Sequence, residues 1–234
     1  MLRRNLPSVR QLKTRSAILE SYKDLTPVFG DFYGFEKGNK KTGVKNSRGE
    51  EVLIWNLPPV VTCPGALDCL KYCYNADTRI DIFPIESWCI NWYWVLYKKA
   101  ECVNKIDQIL STYPHPVIRV HSSGDFFSQD YIEMWKQIAN HNPNALFWAY
   151  TRSWRVNELE NGIRELSKLS NFQIIASVDY TENLPIDMRY CIVGESESGK
   201  GMFNCPEQYL SGIQCVDCRQ CYTYQNTNIY FAKH

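Results

Sequence analysis

Residues 62 to 74 read TCPGALDCLKYCY, with Cys63, Cys69 and Cys73 at C-x5-C-x3-C spacing on what should be one tight loop. Three thiolates on such a loop can hold three irons of a 4Fe-4S cluster and leave the fourth open to an external ligand. An open iron means chemistry rather than scaffolding. A closed structural site wants four protein ligands, and the nearest spare thiols, Cys89 and Cys102, fall on a predicted helix.

A second group occupies NCPEQYLSGIQCVDCRQCY, residues 204 to 222, with Cys205, Cys215, Cys218 and Cys221. Its C-x2-C-x2-C run is similar to the ferredoxin ligand pattern, and Cys205 can complete a four-thiolate set. Zinc suits four thiolates as well, so iron-sulfur and zinc both stand at this site. Closed ligation would make it structural or electron-transferring. A redox cluster in turn calls for an electron donor.

The chain has ten cysteines and no apolar stretch behind its basic first residues, which points to reduced thiols in a cytoplasmic protein without a membrane span. With 26 basic and 25 acidic residues the net charge is +1, which excludes a global attraction to nucleic acid. One local patch, Lys37, Lys40, Lys41, Lys45 and Arg48, is read first as a solvated face and second as a nucleic-acid contact. Cys89, Cys102 and Cys191 stand alone and read as buried, inert thiols.

The elements around these groups alternate. EVLIWNL (51–57) reads as a strand ended by Pro58 and Pro59, delivering the chain into the first cysteine group. Residues 84–111 predict one long amphipathic helix begun by Pro84. VIRVH (117–121), ALFWAYT (145–151), FQIIASVD (172–179) and YCIVG (190–194) read as strands. Helices between them start at Ser128, as N-cap, and at Asn157, where Glu160 completes a capping box. This pattern implies parallel βαβ units, an α/β fold with a partial (βα) barrel of five to six mostly parallel strands. Residues 1–50 form an irregular N-terminal segment with one helix near residues 9–25. Residues 51–203 form the barrel with its cluster loop at 62–75, and residues 204–234 a Cys-rich extension packed on it.

Chemistry should gather at the C-terminal strand ends, where the chain places His121 to Asp125, Tyr150 to Arg152 and Asp179. Alternation puts Arg119 and His121 on one face of their strand, and Gln173, Ser177 and Asp179 on one face of theirs. Arg119, His121, Asp125, Arg152 and Asp179 are thus the expected lining of a pocket for a substrate whose identity the sequence does not reveal.

A cysteine triad after the first strand, Tyr72 before its last cysteine, and Ser123-Gly124-Asp125 after the next strand resemble the radical S-adenosylmethionine enzymes. The resemblance implies S-adenosylmethionine on the open iron, with Ser123, Gly124 and Asp125 at its amino group. The family's usual triad is C-x3-C-x2-C, and Asp125 stands where a Glu is usual. KTG (41–43), LPPVVTCPGALDCLKYCYNA (57–76), HSSGDFFSQDYIEMW (121–135), AYTRS (149–153) and the terminal cysteines resemble the phage and mobile-element family called gene product 88. That resemblance runs over residues 36 to 225 and implies an iron-sulfur-like scaffold without a reaction. A near P-loop at Gly194–Gly201 lacks the hydroxyl that binds magnesium and carries Glu195 and Glu197, so it reads as a linking loop.

Overall fold

A computed structural model describes residues 15–73, 75, 85–179, 184–185, 187–194, 201–223 and 226–232. Pro84, the loop 195–200 and the side chain of Asp179 lie outside the described residues.

The elements are α1 (Arg15–Lys23), β1 (Glu36–Lys37), β2 (Glu50–Trp55), α2 (Ile85–Tyr97), α3 (Lys99–Leu110), β3 (His115–Val120), α4 (Gln129–His141), β4 (Leu146–Thr151), α5 (Asn157–Ser167), β5 (Phe172–Asp179), β6 (Tyr190–Gly194), β7 (Phe203–Asn204), α6 (Pro206–Tyr209), α7 (Cys215–Cys218) and β8 (Ile229–Ala232). They build one eight-stranded sheet in the order β1-β2-β3-β4-β5-β6-β8-β7, parallel throughout except where β1 runs against β2. Eight strands therefore replace the five or six expected. The additional ones are the two-residue edges β1 and β7, too short to show alternation, and β8, which belongs to the terminal extension.

From β2 to β6 each new strand is added on the same side of the last. Parallel crossovers share one hand, so this order sends every connecting helix to the same face. On that face Leu53, Trp55, Ile118, Val120, Phe147, Ala149, Phe172 and Ile174 join one core with residues of α2 to α5. The opposite face is covered by the terminal extension instead: Val52, Ile54, Val117 and Trp148 pack under Val216 and Tyr222, both essentially inaccessible to solvent. Burying side chains of that size contributes about 1.5–3 kcal/mol each. The cysteine-rich end is thus a covering layer of the sheet.

Three local expectations change. The long helix is two, broken at Lys98, whose backbone (φ −138°, ψ 37°) leaves the helical region. Ser128 does cap α4, accepting from Tyr131 N at 3.2 Å. Asn157 does not cap α5: Val156 holds that position, and Glu160 accepts from Arg164 at 2.8 Å one turn on, which removes it from the capping box. Among the described residues no helix is long and apolar enough to cross a membrane.

Candidate metal centres

The loop after β2 carries Cys63, Cys69 and Cys73 and is stitched to the loops after β3 and β4. Asn56 Oδ1 accepts from Ser122 N and Ser123 N, both at 2.8 Å. Leu57 N donates to Ser123 O at 3.0 Å, and Asp125 N to Thr62 O at 3.1 Å. Two glycines allow this approach. A Cβ on Gly65 would lie 2.2 Å from the Arg152 carbonyl oxygen; one on Gly124, at φ +85°, would lie 2.7 Å from Leu57 Cβ. The C-terminal ends of β2, β3 and β4 therefore converge, as the sequence reading expects.

Within this convergence Cys69 and Cys73 are hydrogen-bonded through their side chains, and this bond, followed by burial, pushes the Cys69 thiol up. Burial, then the Asp125 carboxylate, pushes the Cys63 thiol up. Asp125 itself is buried, and burial holds its carboxyl above the usual range against hydrogen bonds from Thr151, Arg152 and Phe126. Its Oδ1 accepts from Phe126 N at 2.7 Å and Thr151 Oγ1 at 2.6 Å, and its Oδ2 from Arg152 N at 2.8 Å. An incoming amino group would have to compete with these donors. Arg152 reaches over the loop to donate to Tyr72 Oη at 2.7 Å.

His121 departs from the expectation that it shares a face with Arg119. It lies one residue past the end of β3, where strand alternation no longer governs. Its ring packs against Phe126 and Tyr131 on the helical side, with Nε2 2.7 Å from Tyr131 Oη. Burial, then the charge of Arg119, pushes its pKa down to about 3, so the ring is neutral. Ser123 is buried, and its Oγ has no partner among the described residues.

The terminal group lies on the other face. Cys205, Cys215, Cys218 and Cys221 line one small cavity together with Phe203, Pro206, Glu207 and Ile229. Main-chain bonds fix them there: Cys205 N donates to Tyr230 O at 3.0 Å, Cys215 N to Lys41 O at 3.1 Å, and Val216 N to Thr42 O at 2.9 Å. The KTG segment is thus the dock for the terminal cysteine turn. Of the basic patch, Lys41 pairs with Glu207 at 3.0 Å and Lys45 with Glu51 at 2.7 Å. The turn is locked further by Arg219, which forms a fork with Glu50 at 2.6 and 2.9 Å. Burial works against the Glu50 charge, but hydrogen bonds from Arg219, Asn46 and Tyr222 outweigh it and hold the carboxyl below its usual range.

Donors and cations converge on these thiols. Tyr150 Oη donates to Cys221 Sγ at 2.8 Å; burial, then Cys221, holds the phenol well above its usual range, so it stays a donor. Glu207 N donates to the Cys205 thiol. The charges of Arg119 and Lys41 act on Cys215, and that of Arg189 acts on Cys221. Burial, the largest effect in each case, pushes the Cys215 and Cys221 thiols up to about 11 and about 12. Arg189 donates to the carbonyls of Thr227 and Gln220, its Nη1 is buried without a partner among the described residues, and Arg119 donates to the His121 carbonyl. Among the described residues no carboxylate pairs with either arginine. Sequence reasoning placed Arg119 inward but missed Lys41, Arg189 and Tyr150 as neighbours of these thiols; Arg189 precedes β6 and carries no local signal.

Among the described residues no three His, Cys, Asp or Glu side chains stand at single-ion spacing. A zinc tetrathiolate with bonds of ~2.3 Å needs sulfurs about 3.8 Å apart, whereas a cluster gives each thiolate its own iron and spreads them wider. The donor chemistry of the terminal group suits a metal centre on two counts: four thiols share one cavity, and among the described residues Arg119 and Arg189 beside them pair with no carboxylate. The first group offers three thiols on one loop of successive turns.

The three non-glycine residues at positive φ among the described residues are Val60 (+70°), Leu67 (+35°) and Arg219 (+62°). All three lie within or beside a cysteine motif, where such backbone costs about 1–3 kcal/mol each and persists only if the surroundings enforce it.

These features define a mostly parallel α/β sheet protein with one thiol group at its strand ends and another on its open face. The chain belongs to the gene product 88 family, whose profile, described as "Gene product 88", matches residues 33–227. It is 26% identical to the "Gene 88 protein" of Mycobacterium phage D29 over 79% of this chain and 85% of that protein. It is 29% identical to the "Gene 88 protein" of Mycobacterium phage L5, over 49% of this chain and 51% of that protein, so the shared segment spans about half the L5 protein. No solved structure matches the chain.

Proposed function

We propose that this chain is a cytoplasmic metal-thiolate enzyme with two centres, its sheet curved as a partial (βα) barrel. The first centre is an open-site 4Fe-4S cluster on Cys63, Cys69 and Cys73, and the second a four-thiolate centre on Cys205, Cys215, Cys218 and Cys221. Bound on the first loop, such a cluster would supply one-electron chemistry and an iron free for an external ligand, with S-adenosylmethionine as the candidate. Arg152 and Tyr72 form one wall beside that loop and would orient an anionic part of the ligand or substrate, while Asp125 fixes the loop from beneath.

The observation that carries this reading is the charge around the terminal thiols. Neutral thiols need no counter-charge, yet Arg119 and Arg189 face them without a carboxylate partner among the described residues. Four thiolates around zinc or a four-iron core make a dianion, which two guanidinium groups neutralise. A nucleic-acid module held by zinc is the weaker reading, since Lys41 and Lys45 spend their charges on Glu207 and Glu51.

Metal and sulfide analysis of protein purified without oxygen tests the proposal. Several irons and acid-labile sulfides per chain are expected, together with 5'-deoxyadenosine when reduced protein meets S-adenosylmethionine, and loss of that product in Cys73→Ala. Stoichiometric zinc without iron would remove the enzyme reading.

A further inference from the structure

We propose that Arg119 is a positioning residue that ties the two cysteine groups together, so that metal bound at the terminal thiols firms the loop on which the first group rests. The inference builds on the four-thiolate reading above and adds a coupling between the sites.

Arg119 lies on β3, between the face that carries the terminal group and the loop that follows the strand. In register it pairs with Ile54 on one side and Trp148 on the other. Both of these neighbours lie in the cluster covered by Val216 and Tyr222, the residues that follow Cys215 and Cys221. Arg119 therefore shares the sheet face that the terminal cysteine turn covers, and its charge acts on Cys215. Its Nε donates to the His121 carbonyl at 3.3 Å. His121 opens the segment whose amides at Ser122 and Ser123 hold Asn56 and whose Asp125 holds Thr62 and Arg152, the contacts that frame the first cysteine loop.

A guanidinium is a rigid planar fork, so fixing one edge fixes the others. An anionic centre on the terminal thiols would hold the Nη groups, leaving Nε locked toward His121. Without that anion the side chain keeps one bond among the described residues, at 3.3 Å, against the rotamer freedom an arginine regains when it is released. The coupling is reciprocal by linkage.

The test uses the full chain carrying Cys69→Ser and Cys73→Ser, which directs added zinc ions to the terminal thiols, and reads amide hydrogen exchange at Ser122, Ser123 and Asp125. With Arg119 intact, zinc should slow exchange about fivefold or more, the lower end of ordinary site-to-site coupling. Arg119→Gln should bind zinc more weakly and, once saturated, show no slowing. Arg119→Lys should recover zinc affinity through its charge but not the slowing, because an ammonium lacks the fork; it also carries the test if the glutamine variant does not fold. Equal slowing in the substituted chains, or zinc bound with no slowing when Arg119 is present, overturns the coupling and leaves the terminal centre standing. Failure of the Arg119-containing chain to take up zinc overturns the four-thiolate reading, and the coupling with it.

Discussion

Cys63, Cys69 and Cys73 stand at the rim of the sheet, on a loop where Leu67 is 66% and Tyr72 37% exposed, whereas the terminal cysteines lie against the sheet's open face above buried Val216 and Tyr222. The surrounding charge differs in the same sense. The rim group has one carboxylate, Asp125, acting on Cys63 and Cys69, and one cation, Arg152, acting on Cys69. The terminal group has Arg119, Arg189 and Lys41 around it, with one carboxylate, Glu207, which pairs with Lys41. The terminal site is enclosed, and its two arginines leave the surrounding charge positive after Lys41 pairs with Glu207. The other is electrically balanced and open on one side, as a site that receives a ligand must be. A carboxylate near thiolates opposes their ionisation and guanidinium groups favour it, so the two groups differ in the balance of charge set around them.

The contrast can be broken from either side. The largest effect should come from Asp125→Ala, which strands the Phe126 and Arg152 amides and the Thr151 hydroxyl in a buried place. A loss of about 3–4 kcal/mol is expected, since each buried donor without a partner costs about 1–3 kcal/mol and the three share one site. A denaturant midpoint shift worth under about 1 kcal/mol would mean the loops are held by something else.

Glu50→Gln should cost less, about 1–2 kcal/mol at neutral pH, because it weakens a fork with a partly exposed Arg219 rather than emptying a buried cradle. Its pH signature is definite in sign. The folded Glu50 pKa lies below the unfolded value, so the carboxylate's contribution is complete above about 4.3 and disappears as pH falls through the folded value. Wild-type and Glu50→Gln unfolding curves should therefore converge in acid; a constant gap at all pH would contradict this.

Tyr150→Phe should be smallest in stability, about 1 kcal/mol or less, because only one hydroxyl at Cys221 is lost. Its effect belongs at the terminal metal: about tenfold weaker cobalt(II) binding, the lower end for an outer hydrogen-bond partner, with a shifted thiolate-to-metal absorption band. The same change should leave the rim group's cysteine labelling rates unaltered.

The sequence was most legible where a single rule governed. β5 and β6 follow from alternating or continuous apolar runs bounded by turns, and Ser128 caps because its side chain meets a free N–H at the next turn. Convergence at strand ends followed from the parallel order alone. What stayed hidden depends on distant partners. β8 is a short apolar run that becomes a strand by pairing with β6 and β7. Glu160 can serve a cap or Arg164, and proximity to Arg164 decided it. The basic loop looked like a solvated face or a phosphate contact because nothing in KTG announces that its carbonyls dock a turn more than 170 residues away. Asp125 was expected by resemblance to contact a ligand; its oxygens accept from the Phe126 and Arg152 amides and the Thr151 hydroxyl, partners that lie on a distant loop or carry no sequence signal.

X-ray absorption at the metal edge of the anaerobically prepared full chain, carrying Cys69→Ser and Cys73→Ser, tests the central claim most directly. A terminal four-thiolate centre requires four sulfur neighbours per metal at about 2.3 Å, with tightly held metal lost or a sulfur replaced by a lighter ligand in Cys215→Ser. Metal surrounded by nitrogen and oxygen at ~2.0–2.1 Å, or no retained metal at all, would contradict the account.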